Sequence, residues 1–510
     1  MKGFRLHSLA LQDSPEYDAG YFEFIGSVAA DEHQNQFTTL IIGSNGTGKS
    51  RLLKIILDIF NDLYNLKTQG AADFKFNHHY ILIFQLDDSI YKIENAKPNL
   101  LISANDLKLD SINQVILPAK VIVAAYSIYE KFPTKRTFNS GDLTRLKTRY
   151  DNDFYEYLGV KSERNYTFSG SNINKSVDLI TEALADDGFK KDLRHVFDLL
   201  NLQPVLMVRY RVQKGRELFK NRIRDTKELV KIIDSLNDQT SFYYSAIRKI
   251  KESGTPFQTS VMESINDVMD FFTSNLGVTA ELVFDNKNKN IEFRKRYKSL
   301  SLLKSLGLIA YDKIQVVKKV NTNLFSLSDT ELRNMSSGEI QILTSMLSLS
   351  SIVQDNSLVI IDEPEISLHP NWQIRFVEIL NKIFERYSNC HFIIASHSHF
   401  LVSDLKTNNS AILALTKNLQ NVVKAELLDV DTYGWSAENI LYNVFGVATV
   451  RNHYFEMELR HLLDIISTKK SNKSNIDKVE HYITRLRRFK VHDDDPLNMI
   501  IKEAERFIKN

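Results

Sequence analysis

Eight consecutive residues, Gly43-Ser44-Asn45-Gly46-Thr47-Gly48-Lys49-Ser50, combine glycines, a lysine and a hydroxyl at a spacing suited to phosphate. Glycines let successive backbone N–H groups turn toward an anion with no Cβ in the way. Lys49 can reach β- and γ-phosphates, and the Ser50 hydroxyl can ligate Mg²⁺. Asn45, Gly46, Thr47, Gly48, Lys49, Ser50 and Arg51 are therefore the candidate nucleotide contacts. A second pattern, Leu358-Val359-Ile360-Ile361-Asp362-Glu363-Pro364, sets two acids after four apolar residues. That places both carboxylates at the carboxyl edge of a buried strand, where α/β sheets present their catalytic groups. Asp362 is the candidate metal ligand beside Ser50, and Glu363 the candidate base for an attacking water.

Two further patterns complete the set. Met335-Ser336-Ser337-Gly338-Glu339 opens a helix in which Ile340, Leu343 and Leu347 share a face. Hydroxyls, backbone amides and the helix dipole make it a second anion site. One nucleotide does not need two such sites from one chain. The economical reading is a pair of chains, each offering Ser336, Ser337, Gly338 and Glu339 to the nucleotide held by the other. In Ala395-Ser396-His397-Ser398-His399, His397 at a strand end can hydrogen-bond a γ-phosphate, whereas His399 reads as a surface histidine. Taken singly, these patterns also fit an acidic turn, a plain helix cap and a satisfied histidine. Their conjunction with the glycine loop favours the chemical reading.

The elements that must position these residues follow from periodicity. Phe37 to Ile42 reads as a buried strand, and Arg51 to Leu66 as a helix with Leu52, Leu53, Ile56, Leu57 and Phe60 at helical spacing. Arg5 to Gln12 and Tyr21 to Gly26 read as strands that start the same sheet. His79 to Leu86 and Ser89 to Glu94 form a hairpin around Asp87-Asp88. Val115 to Ala125 is another strand. Ser357 to Ile361, the helix Trp372 to Tyr387 and His391 to Ala395 give a strand–helix–strand alternation, hence a parallel α/β core. Ala411 to Thr416 and Val422 to Leu428 read as edge strands, and the tail from Ser436 as helices.

Between the two halves lie Phe132 to Thr330, too long for a loop and hence an inserted domain or arm. Helices are expected over Ser176 to Leu200, Lys214 to Asn237, Phe242 to Glu252 and Thr259 to Asn275. Val278 to Phe284 and Asn290 to Phe293 suggest a hairpin. The chain has 510 residues, enough for two or three domains. With 65 Lys+Arg against 63 Asp+Glu, overall charge says nothing about nucleic acid. The single cysteine, Cys390, excludes an internal disulfide, and the N-terminus lacks a secretory signal. No apolar run is long enough to span a bilayer, so a cytoplasmic protein with no membrane partner is expected.

In order and kind, the four motifs resemble those of the ABC-type ATPases: phosphate loop, signature turn, Walker B with catalytic glutamate, and switch histidine. Asp362-Glu363-Pro364-Glu365-Ile366-Ser367-Leu368-His369-Pro370 is similar to the Asp-Glu-Pro-Glu-x-x-Leu-His-Pro pattern of the non-transporter members. These include the OLD family, the RecF and SMC-like repair ATPases and the ATPase subunits of antiphage systems. The resemblance implies an ABC-type P-loop ATPase core with a mixed sheet, a largely helical insertion and a helical tail. The expected divisions are 1–131, 132–330, 331–430 and 431–510. It also implies two protomers closing head to tail over two Mg·ATP. Ser337 and Gly338 would act in trans, His397 would sense the γ-phosphate, and Ser367, Leu368 and His369 would touch the partner protomer. Tyr126 to Pro133, Tyr433-Gly434-Trp435-Ser436 and Phe445-Gly446-Val447 resemble Septu-type defence ATPases. There are departures. Ser127 stands where ABC ATPases usually carry a Gln, and the signature is Ser-Ser-Gly-Glu rather than Ser-Gly-Gly-Gln. OLD nucleases carry a Toprim domain after the ATPase. Here the only acidic cluster in the tail, His492-Asp493-Asp494-Asp495-Pro496, reads as a helix cap.

Three basic clusters could contact phosphates in a salt-dependent way or be solvated faces. They are Arg209, Arg211, Lys214, Arg216, Lys220, Arg222 and Arg224; Arg294, Lys295, Arg296 and Lys298; and Arg485, Arg487, Arg488 and Lys490. The expected function is an ATP-hydrolysing homodimer, or higher even oligomer, that uses Mg²⁺ and contacts DNA. It would regulate a separate effector subunit, a nuclease, in bacterial antiphage defence. The alternatives are a chromosomal repair ATPase of RecF or SMC type and an ATP-gated scaffold with negligible turnover.

Overall fold

The computed structural model describes residues 3–12, 20–26, 36–70, 79–96, 99–134, 149–159, 169–183, 194–213, 215–235, 241–272, 279–285, 291–319, 329–387, 389–405, 409–417, 422–428, 440, 453–467, 473–487 and 496–509. The chain forms two compact units, Met1–Trp435 and Ser436–Asn510. In the first, the elements begin with β1 (Phe4–Gln12), β2 (Tyr21–Glu23), β3 (Phe37–Gly43), α1 (Lys49–Gln69), β4 (His79–Leu86), β5 (Ser89–Ala96), β6 (Asn99–Ala104), β7 (Leu107–Leu109), β8 (Val121–Ala125) and β9 (Tyr155–Tyr157). These strands divide between two sheets. An antiparallel sheet runs β2-β1-β4-β5-β6-β7, so β1 and β2 do not start the sheet that carries the glycine loop. In the antiparallel sheet β4 alternates between buried and half-buried residues, whereas β3 and β8 are buried along nearly their whole length, as strands covered on both faces must be.

Helix α1 packs into one continuous apolar core with both sheets, to which Phe4, Phe60, Phe84, Leu52 and Ile56 contribute. Phe4 and Phe60 meet edge to face at 5.6 Å. Burial extends to polar positions of this helix, and each such group finds a partner. The Asn61 and Asn65 amides donate to the Arg149 carbonyl at 2.9 and 2.8 Å, and Arg149 pairs with Asp62 at 3.2 Å. A buried polar group costs free energy unless so satisfied. Even with Arg149 present, burial pushes the Asp62 carboxyl up to about 6. His391 joins the two sheets: its Nδ1 accepts the Leu6 amide at 3.0 Å and its Nε2 lies 2.8 Å from the Thr39 hydroxyl.

The middle of the chain contributes α2 (Ser169–Ala183), β10 (Leu202–Val212), α3 (Thr226–Ser235), α4 (Ser241–Glu252), α5 (Thr255–Phe272), β11 (Thr279–Asp285), α6 (Ile291–Ser305), β12 (Ile309–Lys318) and β13 (Asp329–Glu331). A second antiparallel sheet, β11-β10-β12-β13, sits among these helices. The stretch expected to be largely helical therefore contains a sheet. The expected hairpin is corrected: β11 pairs with β10, and Ile291 to Phe293 begin helix α6. Of the helix expected over Lys214 to Asn237, 226–235 is described as α-helix, and of that expected over Ser176 to Leu200, α-helix is described over Ser169–Ala183 and again over 194–199.

The chain then returns through α7 (Ser337–Ile352), β14 (Leu358–Asp362), α8 (Pro370–Ile374), α9 (Phe376–Ile383), β15 (His391–Ser396), β16 (Ser410–Lys417) and β17 (Val423–Leu428). These strands complete a seven-stranded mixed sheet, β17-β16-β3-β15-β14-β8-β9, in which only β17 runs antiparallel. β16 is interior and β17 an edge, and β9 draws its strand from the 132–330 stretch. Register decides the site. Ser396 lies opposite Ile42, and Asp362 opposite both Ala395 and Ala125. The carboxyl ends of β3, β15, β14 and β8 thus open on one edge. In the second unit the helices α10 (His453–Ser467), α11 (Lys473–Leu486) and α12 (Pro496–Lys509) pack around Leu462, Val479, Leu486 and Ala504. No helix among the described residues is long and apolar enough to cross a membrane.

Candidate nucleotide site

The glycine loop leaves β3 at Gly43 and enters α1 at Lys49. Gly48 caps that helix at φ 87°, a left-handed backbone in which any side chain would be strained. Lys49 is folded back over the loop. Its Nζ donates to the Gly43 carbonyl at 2.8 Å and reaches the Ser44 carbonyl at 3.4 Å. It also stands 2.8 Å from Nε2 and 3.1 Å from Nδ1 of His397. Burial, opposed by the charges of Glu363, Glu365 and Asp362, brings the lysine down to about 8. His397 is pushed down by burial and by Lys49, so its ring is neutral beside the ammonium. These two residues, 348 positions apart in sequence, meet because β3 and β15 are neighbours.

On the next strand, Asp362 is 1% exposed. Its Oδ1 accepts the Ser50 hydroxyl at 3.1 Å, and its enclosed Oδ2 has no hydrogen-bond partner among the described residues. A serine oxygen beside a buried carboxylate oxygen with spare valence suits a small hard cation. Mg²⁺ typically takes one or two protein oxygens and keeps its remaining positions for water and phosphate. The residues present therefore fit the ion. Among the described residues no group of three or more His, Cys, Asp or Glu could hold a metal, so a three-carboxylate site is not an alternative there.

Burial raises the Asp362 carboxyl to about 7 from its ordinary 3.8. The folded protein then holds that proton up to pH values at which the unfolded chain has released it. Stability therefore falls as pH rises from about 4 to about 7 and levels off above. Asp362→Asn removes this loss and keeps an acceptor for Ser50. We expect the variant to be roughly 2–4 kcal/mol more stable than the parent at pH 8 without nucleotide or metal, and no more stable below pH 4. Thermal melts at the two pH values check it.

Glu363 follows with φ 54°, and its carboxylate lies 3.8 Å from His397 Nε2. Its amide donates to the Ala395 carbonyl at 2.9 Å, which binds this turn to β15. One residue given no role from sequence joins the cluster. The Glu365 Oε1 accepts the His397 amide at 2.6 Å. The sequence displays Glu365 only as a letter of the motif; that its partner would be a backbone amide 32 residues on is fixed by strand register.

Ser336, Ser337, Gly338 and Glu339 form a capping box on α7. The Ser336 amide donates to Glu339 Oε2 at 2.8 Å, and the Glu339 amide returns to Ser336 Oγ at 3.3 Å. Both serines are exposed. Gly338 lets this turn close on the loop after β14: a Cβ there would lie 2.6 Å from the Ser367 carbonyl oxygen. Gln341 donates to the Pro364 carbonyl at 3.0 Å. The turn is thus held against Pro364 and Ser367 of its own chain, with Ser336 and Ser337 exposed and the Ser336 hydroxyl bonded to Glu339 within the capping box. Asn45 and Gly46 are likewise exposed, Thr47 is buried with its hydroxyl on the Ser44 carbonyl, and Arg51 is exposed. A cavity of about 540 Å³, chiefly apolar, lies between α2 and α7, is lined by Ile173, Leu179, Ile340 and Ser348 among others, and reaches Ser337 and Ser367.

Of the basic clusters, Arg216, Lys220, Arg222 and Arg224 are exposed beyond the end of β10. Arg485 pairs with Glu458 at 2.6 Å and Arg487 with Glu505, so these two brace the three-helix unit. Lys214, Arg488, Lys490 and the His492–Asp495 run lie outside the described residues, as do the side chains of Arg294 and Lys295 and the tail segments 433–436 and 445–447.

A glycine loop at the end of one parallel strand, an acid pair on a second and a histidine on the strand between stand together with a helix-capping Ser-Ser-Gly turn, and part of the chain matches an AAA-family ATPase domain. Residues 178–403 match the family described as "AAA domain, putative AbiEii toxin, Type IV TA system", a span that takes in the signature, acid and histidine motifs. The chain is 21% identical over 435 residues to Endonuclease GajA of Bacillus cereus (strain HuB5-5), covering 76% of this chain and 57% of that protein. It is 25% identical over 153 residues to Septu protein PtuA of Bacillus thuringiensis, covering 29% of this chain and 36% of that one. The chain thus spans less than two thirds of either relative. Among solved structures, the SMC head domain from Thermotoga maritima aligns at 12% identity over 84% of this chain and all of that chain, with a TM-score of 0.31.

Proposed function

We propose that this protein binds and hydrolyses ATP at a site shared between two copies, and that hydrolysis regulates a separate effector, a nuclease, in antiphage defence. The observation that supports the ATPase reading most is the Ser50–Asp362 pair with its spare, enclosed Oδ2, set beside Lys49, His397 and Glu363. In this reading Lys49 and the loop amides hold the phosphates, and Ser50 and Asp362 hold Mg²⁺. When bound, the ion neutralises phosphate charge and aligns the leaving group. Glu363 accepts the proton of the attacking water, and His397 donates toward the γ-phosphate. The exposed Ser336 and Ser337 and the amide of Gly338 meet the nucleotide of the second copy.

The defence setting rests on the likeness to GajA and to the Septu protein. The exposed cations Arg216, Lys220, Arg222 and Arg224 support a DNA contact in the dimer. The separate effector is the part most open to a direct test. The purified chain with Mg²⁺ and ATP is expected to turn over ATP and leave duplex and single-stranded DNA intact. Cleavage by this chain alone would contradict a separate nuclease. An absence of even single-turnover hydrolysis would favour a nucleotide-gated scaffold instead.

A further inference from the structure

The loop after β14 is bound to the loop after β15 by a closed set of hydrogen bonds. Glu365 Oε1 accepts the His397 amide at 2.6 Å. The Ser398 hydroxyl donates to Gln373 Oε1 at 2.6 Å. Gln373 Nε2 returns to the first loop, donating to the Leu368 carbonyl at 2.9 Å and reaching the Glu365 carbonyl at 3.4 Å. The Leu368 amide closes on the Glu365 carbonyl at 3.0 Å. Two non-glycine residues in left-handed backbone bracket this turn, Glu363 at φ 54° and Ser367 at φ 66°. Such conformations are strained and persist only where surrounding bonds over-determine them. The bonds of Glu365 and Gln373 supply that constraint.

We infer that Glu365 is a positioning residue: by gripping the His397 backbone it fixes the imidazole between Lys49 and Glu363, and couples that ring to the Ser367 loop. The inference rests on the reading of His397 given above. It assigns Glu365 no contact with substrate. The carboxylate can act here because it sits on the far side of the Asp362–Glu363 turn and reaches the neighbouring strand exit, where the amide of His397 is the donor it captures. Any displacement of Ser367, two residues on, is transmitted to the histidine through the same turn. Gln373 carries the second link of that coupling, from the Ser367–Leu368 side to Ser398. A glutamine at position 365 keeps an acceptor oxygen for the His397 amide, whereas an alanine keeps none.

The test is ATP turnover in four variants of the full chain: E365A, E365Q, H397A and E365A/H397A, each with its nucleotide Kd. E365A is expected to lower kcat at least about tenfold, the low side of what a misplaced catalytic group costs, with Kd changed less than about threefold. E365Q is expected to return kcat to within about threefold of the parent. Because Glu365 acts through His397, the double variant should be no slower than H397A. A purely structural role would instead give losses that multiply in the double variant and a matching fall in nucleotide affinity, and either result overturns the inference. Parent-like turnover in E365A with slow H397A also overturns it and leaves the histidine's role standing. Parent-like turnover in H397A removes the histidine's role and this inference with it. If E365A fails to fold, E365Q and Q373A decide: an E365Q as slow as H397A refutes the grip, and a Q373A that slows kcat at unchanged Kd supports it.

Discussion

Glu363→Gln is expected to slow ATP turnover by about 10²–10⁴-fold while leaving nucleotide bound. The substitution keeps the size of the side chain and a hydrogen-bonding oxygen, but removes the capacity to take a proton. Its surroundings make the consequence specific. The backbone of Glu363 is tied to Ala395 and held at a positive φ, so the side chain stands where the two strand exits meet, 3.8 Å from His397. Lys49, Ser50 and Asp362 lie on other residues and are untouched, so phosphate and Mg²⁺ should still bind. Binding without turnover accumulates the closed state. The variant should therefore run as a dimer in the presence of Mg·ATP, and the parent should return to monomers as ATP is consumed. Light scattering during a turnover assay reads both. Hydrolysis at the parent rate would mean that another group is the base.

Ser337→Arg is expected to abolish turnover, by about 10²-fold or more, without weakening nucleotide binding to the isolated chain. The physical reason is where the turn lies. Ser336 and Ser337 are exposed, while Gly338 and Gln341 fix the turn against Ser367 and Pro364 of the same chain. Ser337 also borders the cavity between α2 and α7, so an arginine there adds bulk and charge at the surface that the turn presents. If that surface meets the nucleotide of a second copy, closure is blocked. A fluorescent ATP analogue should bind parent and variant with similar Kd, whereas the ATP-dependent dimer should appear only in the parent. Unchanged turnover in Ser337→Arg would mean that the turn plays no part in the site.

Much of this arrangement is legible in sequence because the motifs are local. The glycine loop, the apolar run ending in Asp362-Glu363 and the Ser-Ser-Gly cap each announce their own backbone, and all three lie where a strand or helix ends. What brings them together is not local. Lys49 meets His397 only through the β3–β15 register, and the role of Glu365 follows from that register alone. The middle of the chain was harder for the same reason. β10 alternates apolar residues with Arg209 and Arg211, and its partners β11 and β12 lie some seventy to a hundred residues on, judged from their ranges. No short-range turn signal marks such pairings, so the sheet stays hidden among helical patterns. The short run Asn290 to Phe293 follows a polar stretch in sequence and mimics the second arm of a hairpin, but Ile291 to Phe293 belong to helix α6, which Leu300 and Leu303 further along anchor in the core. β1 and β3 have similar apolar content, and both bury residues on each face. Their strand partners separate them, β1 pairing with β2 and β4 and β3 with β15 and β16, and those pairings are not local.

The shared site is best tested by mixing two silent variants. Lys49→Ala lacks the phosphate-binding lysine and Ser337→Arg lacks a usable turn, so each alone should be inactive. In a mixed dimer, one of the two seams contains an intact lysine from one chain and an intact turn from the other. Turnover that reappears on mixing, and rises toward a maximum at equal proportions, is the expected result. A mixture as inactive as its components, with mixed dimers shown to form, would place the whole nucleotide site within a single chain.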